Sequence, residues 1–64
     1  MITIGTRVRI QRTGDERIDQ YAGECGQIED TREINDCGYR YTQVAVRTDA
    51  ASLVWVNDNE VESV

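Results

Sequence analysis

The sequence predicts a small all-β domain in which five short strands form a barrel. Short segments alternate apolar and polar residues, as a strand with one buried face requires. Clusters of glycine, asparagine and aspartate separate these segments and indicate tight turns. No window has apolar residues at the i, i+3, i+4 and i+7 positions of an amphipathic helix. Closure of the strands into a barrel removes the exposed sheet edges that promote aggregation.

The first predicted elements are a strand and an exposed loop. From Thr6 the chain reads Thr-Arg-Val-Arg-Ile-Gln-Arg, which places Val8 and Ile10 on one face and arginines on the other. Residues 13–20 are polar and contain a glycine. They predict an exposed loop of the kind that small domains use for recognition.

Residues 21–30 predict a sharp turn that leads into a second strand. Gly23 and Gly26 lie three residues apart, flanked by Tyr21 and Ile28. Glycine either supplies a positive φ or lets another strand approach closely. Residues 35–38, which read Asn-Asp-Cys-Gly, predict the next turn.

The remaining elements are two strands, one turn of 3-10 helix and a last short strand. Residues 39–48 alternate, with Thr42, Val44 and Val46 on one face, and residues 49–51 form a turn. Residues 52–56 are apolar on both faces and predict a central or covered strand. We expect Trp55 in this strand to fill the core. Residues 57–60 predict the 3-10 turn, and residues 61–64 the last strand.

Length and charge limit the classes of protein to which the chain can belong. Its 64 residues predict a single domain, residues 1–64. The net charge of −5, from 12 acidic and 7 basic residues, disfavours a general nucleic-acid binder. No apolar run approaches the roughly 20 residues that span a bilayer. No signal-peptide pattern is present either, so we expect a cytoplasmic protein without a membrane partner.

Cys25 and Cys37 are predicted to be free thiols. In a secreted chain of this size they would indicate a disulfide, but a reducing compartment keeps thiols free. A zinc site has less support because the sequence lacks histidine and a Cys-x-x-Cys pair. We therefore expect no metal and no cofactor.

Four motifs resemble those of SH3-like barrels. They are Ile-Gly-Thr-Arg-Val-Arg-Ile at residues 4–10, Gly-Glu-Cys-Gly-Gln-Ile at 23–28, Val-Ala-Val at 44–46 and, after a polar turn, Glu-Val-Glu-Ser-Val at 60–64. The resemblance is to KOW-type ribosomal and transcription-factor domains and to the small photosystem I subunit that helps dock ferredoxin. It implies a five-stranded SH3-like barrel with a short helical turn before the last strand. The family roles differ, since KOW domains that hold RNA are basic and the photosystem subunit attracts an acidic protein.

The candidate partner-binding residues are the N-terminal arginines and the tyrosines. Residues 1–17 hold four arginines against two carboxylates, whereas the rest of the chain holds three against ten. The alternative is an ordinary solvated surface. Tyrosine frequently anchors protein interfaces, and we expect Tyr39 and Tyr41 to be partly exposed. The complete candidate set is Arg7, Arg9, Arg12, Arg17, Tyr21, Tyr39 and Tyr41.

The sequence predicts a binding protein and not an enzyme. It has no histidine for proton transfer, and its neighbouring carboxylates lie in turn segments where water solvates them. We predict a protein-interaction module or accessory subunit, such as a phage-type host-binding protein. The alternative is a KOW-like nucleic-acid-binding domain that uses the N-terminal arginines. A fragment of a catalytic or regulatory subunit has less support. Self-association is compatible with all of these roles.

Overall fold

The structure is a computed structural model that describes residues 3–64, which form one five-stranded antiparallel sheet. The elements are β1 (Arg7–Ile10), α1 (Glu16–Asp19), β2 (Cys25–Asp36), β3 (Tyr39–Thr48), β4 (Leu53–Asn57), the 3-10 turn (Asp58–Glu60) and β5 (Val61–Ser63). The sheet order is β4-β3-β2-β1-β5. The predicted all-β class, with a 3-10 turn before the last strand, is confirmed. Within residues 3–64 no ladder joins β4 to β5, so the sheet is open and not the closed barrel that we predicted.

The core is built almost entirely from valine and isoleucine. These β-branched side chains favour strands because they pack well on a pleated surface. Burying one such side chain stabilises the fold by about 1.5–3 kcal/mol. Ile18 and Tyr21 pack against the core from outside the sheet. The buried cluster consists of Val8, Ile10, Ile28, Val44, Val46, Val54, Val56 and Val61.

Gly23, which precedes β2, and Gly26, which lies within it, are required for different structural reasons. Gly23 has a φ of +87° in the turn that precedes the strand. Gly26 lies between Val8 of β1 and Thr48 of β3. A Cβ there would lie 2.8 Å from Thr48 Cα and from Val46 Cγ1, and closer still to the Arg47 carbonyl oxygen. Both predicted roles of glycine are therefore confirmed.

The predicted loop of residues 13–20 contains one turn of helix, α1. The Asp15 side chain caps this helix by accepting a hydrogen bond from the Arg17 amide at 3.0 Å. The Asp19 carboxylate accepts hydrogen bonds from the Thr13 amide at 2.7 Å and the Gly14 amide at 3.1 Å. A four-residue helix is too short to show a helical period in sequence. The segment is therefore ordered by a helical turn and by these hydrogen bonds, and it is not an irregular loop.

Strand β2 continues to Asp36, beyond the predicted end near residue 30. A register shift interrupts its pairing with β3 between Ile28 and Asp30. At the hairpin tip Cys37 has a φ of 49° and Gly38 a φ of 85°, as expected for a two-residue turn of type I′. Among the described residues, 31–36 and 39–42 pair only with each other. We call this part of the hairpin, residues 31–42, the ribbon.

Strand β4 corrects two predictions. We expected a central or covered strand, but within residues 3–64 it pairs with β3 alone and lies at the edge of the sheet. Val54 and Val56 face the core, so the alternate residues Leu53 and Trp55 face outward. Trp55 is only half-buried and does not belong to the core cluster. The expectation that Trp55 fills the core was wrong, because Val54 and Val56 already occupy the inner face of this strand.

Candidate functional site

A cleft of about 440 Å³ lies between β4 and α1. Strand β4 contributes residues from both of its faces, including outward Leu53 and inward Val54. A cleft that contacts both faces of an edge strand must run along the free edge of that strand. Its lining residues are Asp15, Arg17, Ile18, Arg32, Tyr41, Gln43, Leu53, Val54, Trp55, Asn57 and Glu60.

The edge of β4 presents backbone groups to this cleft. The Thr48 amide donates to the Ser52 carbonyl at 2.8 Å, which fixes the hydrogen-bonding phase of the β3–β4 ladder. Bonded pairs alternate with non-bonded pairs in an antiparallel ladder. Val54 and Val56 therefore bond to β3, while the N–H and C=O groups of Leu53 and Trp55 point away from the sheet. These are the groups that an added strand would use.

Helix α1 forms the opposite wall of the cleft. Arg17 donates to both carboxylate oxygens of Asp15, with Nη2 at 3.2 Å from Oδ2. Hydrogen bonds from the Arg17 side chain and amide lower the pKa of Asp15, and the bond to Asp15 raises the pKa of Arg17. Ile18 fixes the wall because it packs against the core.

A row of polar side chains crosses the outer face of the sheet next to Trp55. Arg32 Nε and Nη2 both donate to Gln43 Oε1, at 2.9 and 2.7 Å. Gln43 Nε2 donates to Asn57 Oδ1 at 3.4 Å, and the backbone N–H of Asn57 donates to Glu60 Oε1 at 2.7 Å. The row links Arg32 on β2 to Glu60 on the 3-10 turn, and both of these residues line the cleft.

Trp55 is the aromatic centre of the site. The Arg32 guanidinium carbon lies 4.2 Å from the centroid of the Trp55 ring, which is a cation–π contact. Directly across the ladder from Trp55 is Ala45, which is buried although it faces outward. Trp55 therefore joins an apolar patch to a positive charge, a combination that is common in protein interfaces.

The tyrosines predicted to be exposed lie on the ribbon. Tyr39 is 76% exposed and Tyr41 is 39% exposed, which confirms the predicted exposure. Tyr41 is opposite Ile34 and shares a face with Arg32. Tyr41 reaches the cleft, whereas Tyr39 lies next to the hairpin tip. Tyr21 is half-buried against the core.

The candidate arginines are dispersed and mostly ion-paired. Arg7 forms two hydrogen bonds to Asp49, at 2.9 and 3.1 Å, and Arg9 lies 3.5 Å from Glu62. The bond to Asp49 raises the pKa of Arg7, and the same bond lowers the pKa of Asp49. Both arginines are on β1, which β2 and β3 separate from β4. Arg12 is exposed between β1 and α1.

Of the candidate residues, the structure brings Arg17 and Tyr41 together in the cleft. Sequence reasoning missed Trp55, Arg32 and Leu53 as members of this surface. The signal was present in β4, where valines at 54 and 56 leave the alternate positions to face outward. Because both sets of residues are apolar, the alternation was hidden.

Three features of the described residues concern metal ions, thiols and membranes. Within residues 3–64 no three His, Cys, Asp or Glu side chains gather in a way that would hold a metal ion. Cys25 and Cys37 are free, with Cys25 half-buried and Cys37 exposed. Across the same residues, no helix has the length and apolar character needed to cross a membrane.

The fold is similar to a structure described as the solution structure of the cyanobacterial cytochrome b6f complex subunit PetP. The two chains share 32% sequence identity and superpose with a TM-score of 0.75. The match covers 97% of this chain and 78% of the other. No family model and no curated protein matches the sequence.

Proposed function

This chain belongs to the family of the cytochrome b6f complex subunit PetP, and we propose that it is a small, non-catalytic accessory subunit that docks on a cytochrome b6f complex. The observation that carries the proposal is the match itself, which extends over 97% of the chain at 32% identity. Likeness of fold alone would not carry a function. Here both sequence and fold agree over nearly the whole domain.

The surface of the chain supports a docking role. Exposed Leu53, Tyr39 and Tyr41 and half-buried Trp55 all lie on β4 or the neighbouring ribbon. Aromatic residues at the centre of an interface commonly contribute most of the binding energy. The sequence motifs that resemble those of SH3-like barrels, together with the 3-10 turn before β5, support an SH3-like arrangement of the open sheet as part of the proposal. A cytoplasmic location is part of the proposal, supported by the two free thiols.

The arginines on which the nucleic-acid alternative depends mostly have a carboxylate beside them. Three of its four arginines pair with carboxylates: Arg7 with Asp49, Arg9 with Glu62 and Arg17 with Asp15. A neighbouring carboxylate repels the phosphates that these arginines would have to neutralise in nucleic-acid binding. The overall charge of −5 opposes that binding as well.

The test is binding to purified cyanobacterial cytochrome b6f complex from which the resident PetP has been removed. The tagged chain is added, and co-migration is followed on native gels and by biolayer interferometry. We expect saturable binding that unlabelled PetP displaces. Absence of binding to the depleted complex, under conditions in which added PetP rebinds, would refute the proposal.

Two variants locate the docking surface. Leu53→Asp places a charge beside the cleft, and we expect affinity for the complex to fall by about tenfold or more. Val64→Asp is the matched control, because Val64 is 60% exposed and Leu53 is 45% exposed, but Val64 does not line the cleft. Equal losses from both variants would show that the contact surface lies elsewhere.

A further inference from the structure

The free edge of β4 is open to an additional strand. The N–H and C=O groups of Leu53 and Trp55 point away from β3, and the cleft runs along that edge. Edge strands bind extended peptides through such backbone groups, while pockets for alternate side chains give specificity. Natural sheets usually protect an edge with lysine, proline or a very short strand. Strand β4 has five residues, none of them charged and none of them proline.

The shape of the cleft favours an extended segment over a second folded domain. Helix α1 stands across the cleft from β4, and Ile18 fixes it to the core. The space between them is about 440 Å³. A strand is thin because its neighbours lie about 4.8 Å away in the hydrogen-bonding direction. An extended segment is therefore a better match than a folded domain for a space of this size beside an edge strand.

The charges around the cleft select a basic segment. Residues 15–19, which form α1 and its cap, hold three carboxylates against Arg17. The 3-10 turn adds Asp58 and Glu60 with no basic residue. The lining itself holds Asp15 and Glu60 against Arg17 and Arg32, so the acidic excess comes from the adjacent Glu16, Asp19 and Asp58. The Arg32 guanidinium bonds to the neutral Gln43. The chain as a whole has a charge of −5, so the long-range field also attracts cations.

We propose that β4 binds an extended, lysine- or arginine-bearing segment of a partner protein as an added strand in this cleft. This inference rests on the proposed function, because it names the chemistry of the element on which the subunit docks. Leu53 and Trp55 supply the backbone hydrogen bonds. The outward apolar side chains of β4 contact alternate residues of the segment, and the carboxylates of α1 and the 3-10 turn attract its cationic residues.

The test is an NMR titration of the isotope-labelled chain with three short capped peptides. The first alternates lysine with threonine and valine, the second replaces its lysines by glutamate, and the third is the first with alternate backbone nitrogens methylated. We expect the lysine peptide to shift the amides of Leu53 and Trp55 saturably and to bind about tenfold more tightly than the glutamate peptide. Methylation should weaken binding by about tenfold as well, because it removes the strand-to-strand hydrogen bonds.

Charge variants separate local attraction from the effect of net charge. The single variants Glu16→Gln and Asp58→Asn should each weaken lysine-peptide binding by about threefold. Glu33→Gln, on the ribbon, is the control: it changes the net charge by the same amount and should have little effect on binding. All three side chains are exposed, so the fold should tolerate the changes.

Several outcomes would overturn the proposal. They are equal affinity for lysine and glutamate peptides, no effect of methylation, shifts confined to β1 and β5, or a dimer paired through β4 that no peptide displaces. Binding to the depleted cytochrome b6f complex without any peptide binding would refute this inference and leave the accessory role standing. Peptide binding without binding to the complex would refute the accessory role and leave the added-strand inference standing.

Discussion

Gly26 is the position at which one methyl group should damage the fold most. In Gly26→Ala the new Cβ would lie 2.8 Å from Thr48 Cα and from Val46 Cγ1, and it would overlap the Arg47 carbonyl oxygen. Ordinary van der Waals contact between such atoms begins near 3.5 Å. Two of the three opposing atoms belong to the backbone of β3, so a side-chain rotation cannot relieve the clash. Strand β2 must move away from β3.

The expected cost follows from overpacking in a tightly packed sheet. Overpacking by extra methylenes usually destabilises a protein by about 1–3 kcal/mol, and rigid backbone neighbours place this site near the top of that range. At about 0.05–0.15 kcal/mol per residue, a domain of this size has roughly 3–10 kcal/mol of stability in total. A loss of about 3 kcal/mol would lower the melting temperature by about 12–24 °C.

The assay is urea and thermal unfolding, followed by circular dichroism and by Trp55 fluorescence. Gly14→Ala is the control, because a Cβ at Gly14 meets nothing within 4 Å while its φ of +89° still penalises a side chain. Backbone strain of that kind costs about 1–2 kcal/mol. A Gly26→Ala protein that is as stable as Gly14→Ala, or as stable as the parent, would refute the packing argument.

Other changes test the wall of the cleft, its aromatic centre and the surface ion pairs. Asp19→Ala should cost about 1 kcal/mol and accelerate hydrogen exchange at the amides of residues 13 and 14, because it removes their acceptor. Arg32→Ala should increase quenching of Trp55 fluorescence by acrylamide, since it removes the guanidinium over the ring, whereas Arg40→Ala on the same ribbon should not. In Arg7→Gln, carboxyl NMR should show the pKa of Asp49 rising toward about 3.9. Because folding lowers the pKa of Asp49 in the parent, the ionised carboxylate stabilises the fold above about pH 3.9, and this contribution is lost as the pH falls through the folded-state pKa. The Arg7→Gln variant should not show that loss of stability.

The strands were predictable where one face is apolar and the other is polar. In β1 valine and isoleucine alternate with arginines, and the strand lies where that pattern placed it. The limits of β3 also agree with the sequence, because turns with asparagine, aspartate or glycine flank it. Local chemistry was sufficient in these segments because burial and turn geometry favour the same structure.

The site was less predictable, because its residues come together through strand pairing. Arg32, Gln43 and Asn57 form one row although they are far apart in sequence, and only the β2–β3–β4 register aligns them. Arg7 on β1 likewise reaches Asp49, 42 positions away, because β1 pairs with β2 and β2 pairs with β3. A charge count along the chain cannot detect such pairs. It therefore counted Arg7 and Arg9 as excess positive charge, although their partners Asp49 and Glu62 lie outside residues 1–17.

The exposed edge of β4 is itself an argument for a partner. A chain that left Leu-Val-Trp-Val-Asn uncovered would risk pairing with copies of itself, because an uncharged edge does not discriminate. Two features reduce that risk here: each copy has a charge of −5, and the lining carboxylates Asp15 and Glu60 have the further carboxylates Glu16 and Asp58 beside them in the chain. They repel a second acidic copy and attract a basic segment, so one set of charges both opposes self-association and selects the partner. If that reasoning is right, neutralising Glu16 and Asp58 together should promote self-association as well as weaken peptide binding, and sedimentation equilibrium would detect the first effect independently of the second.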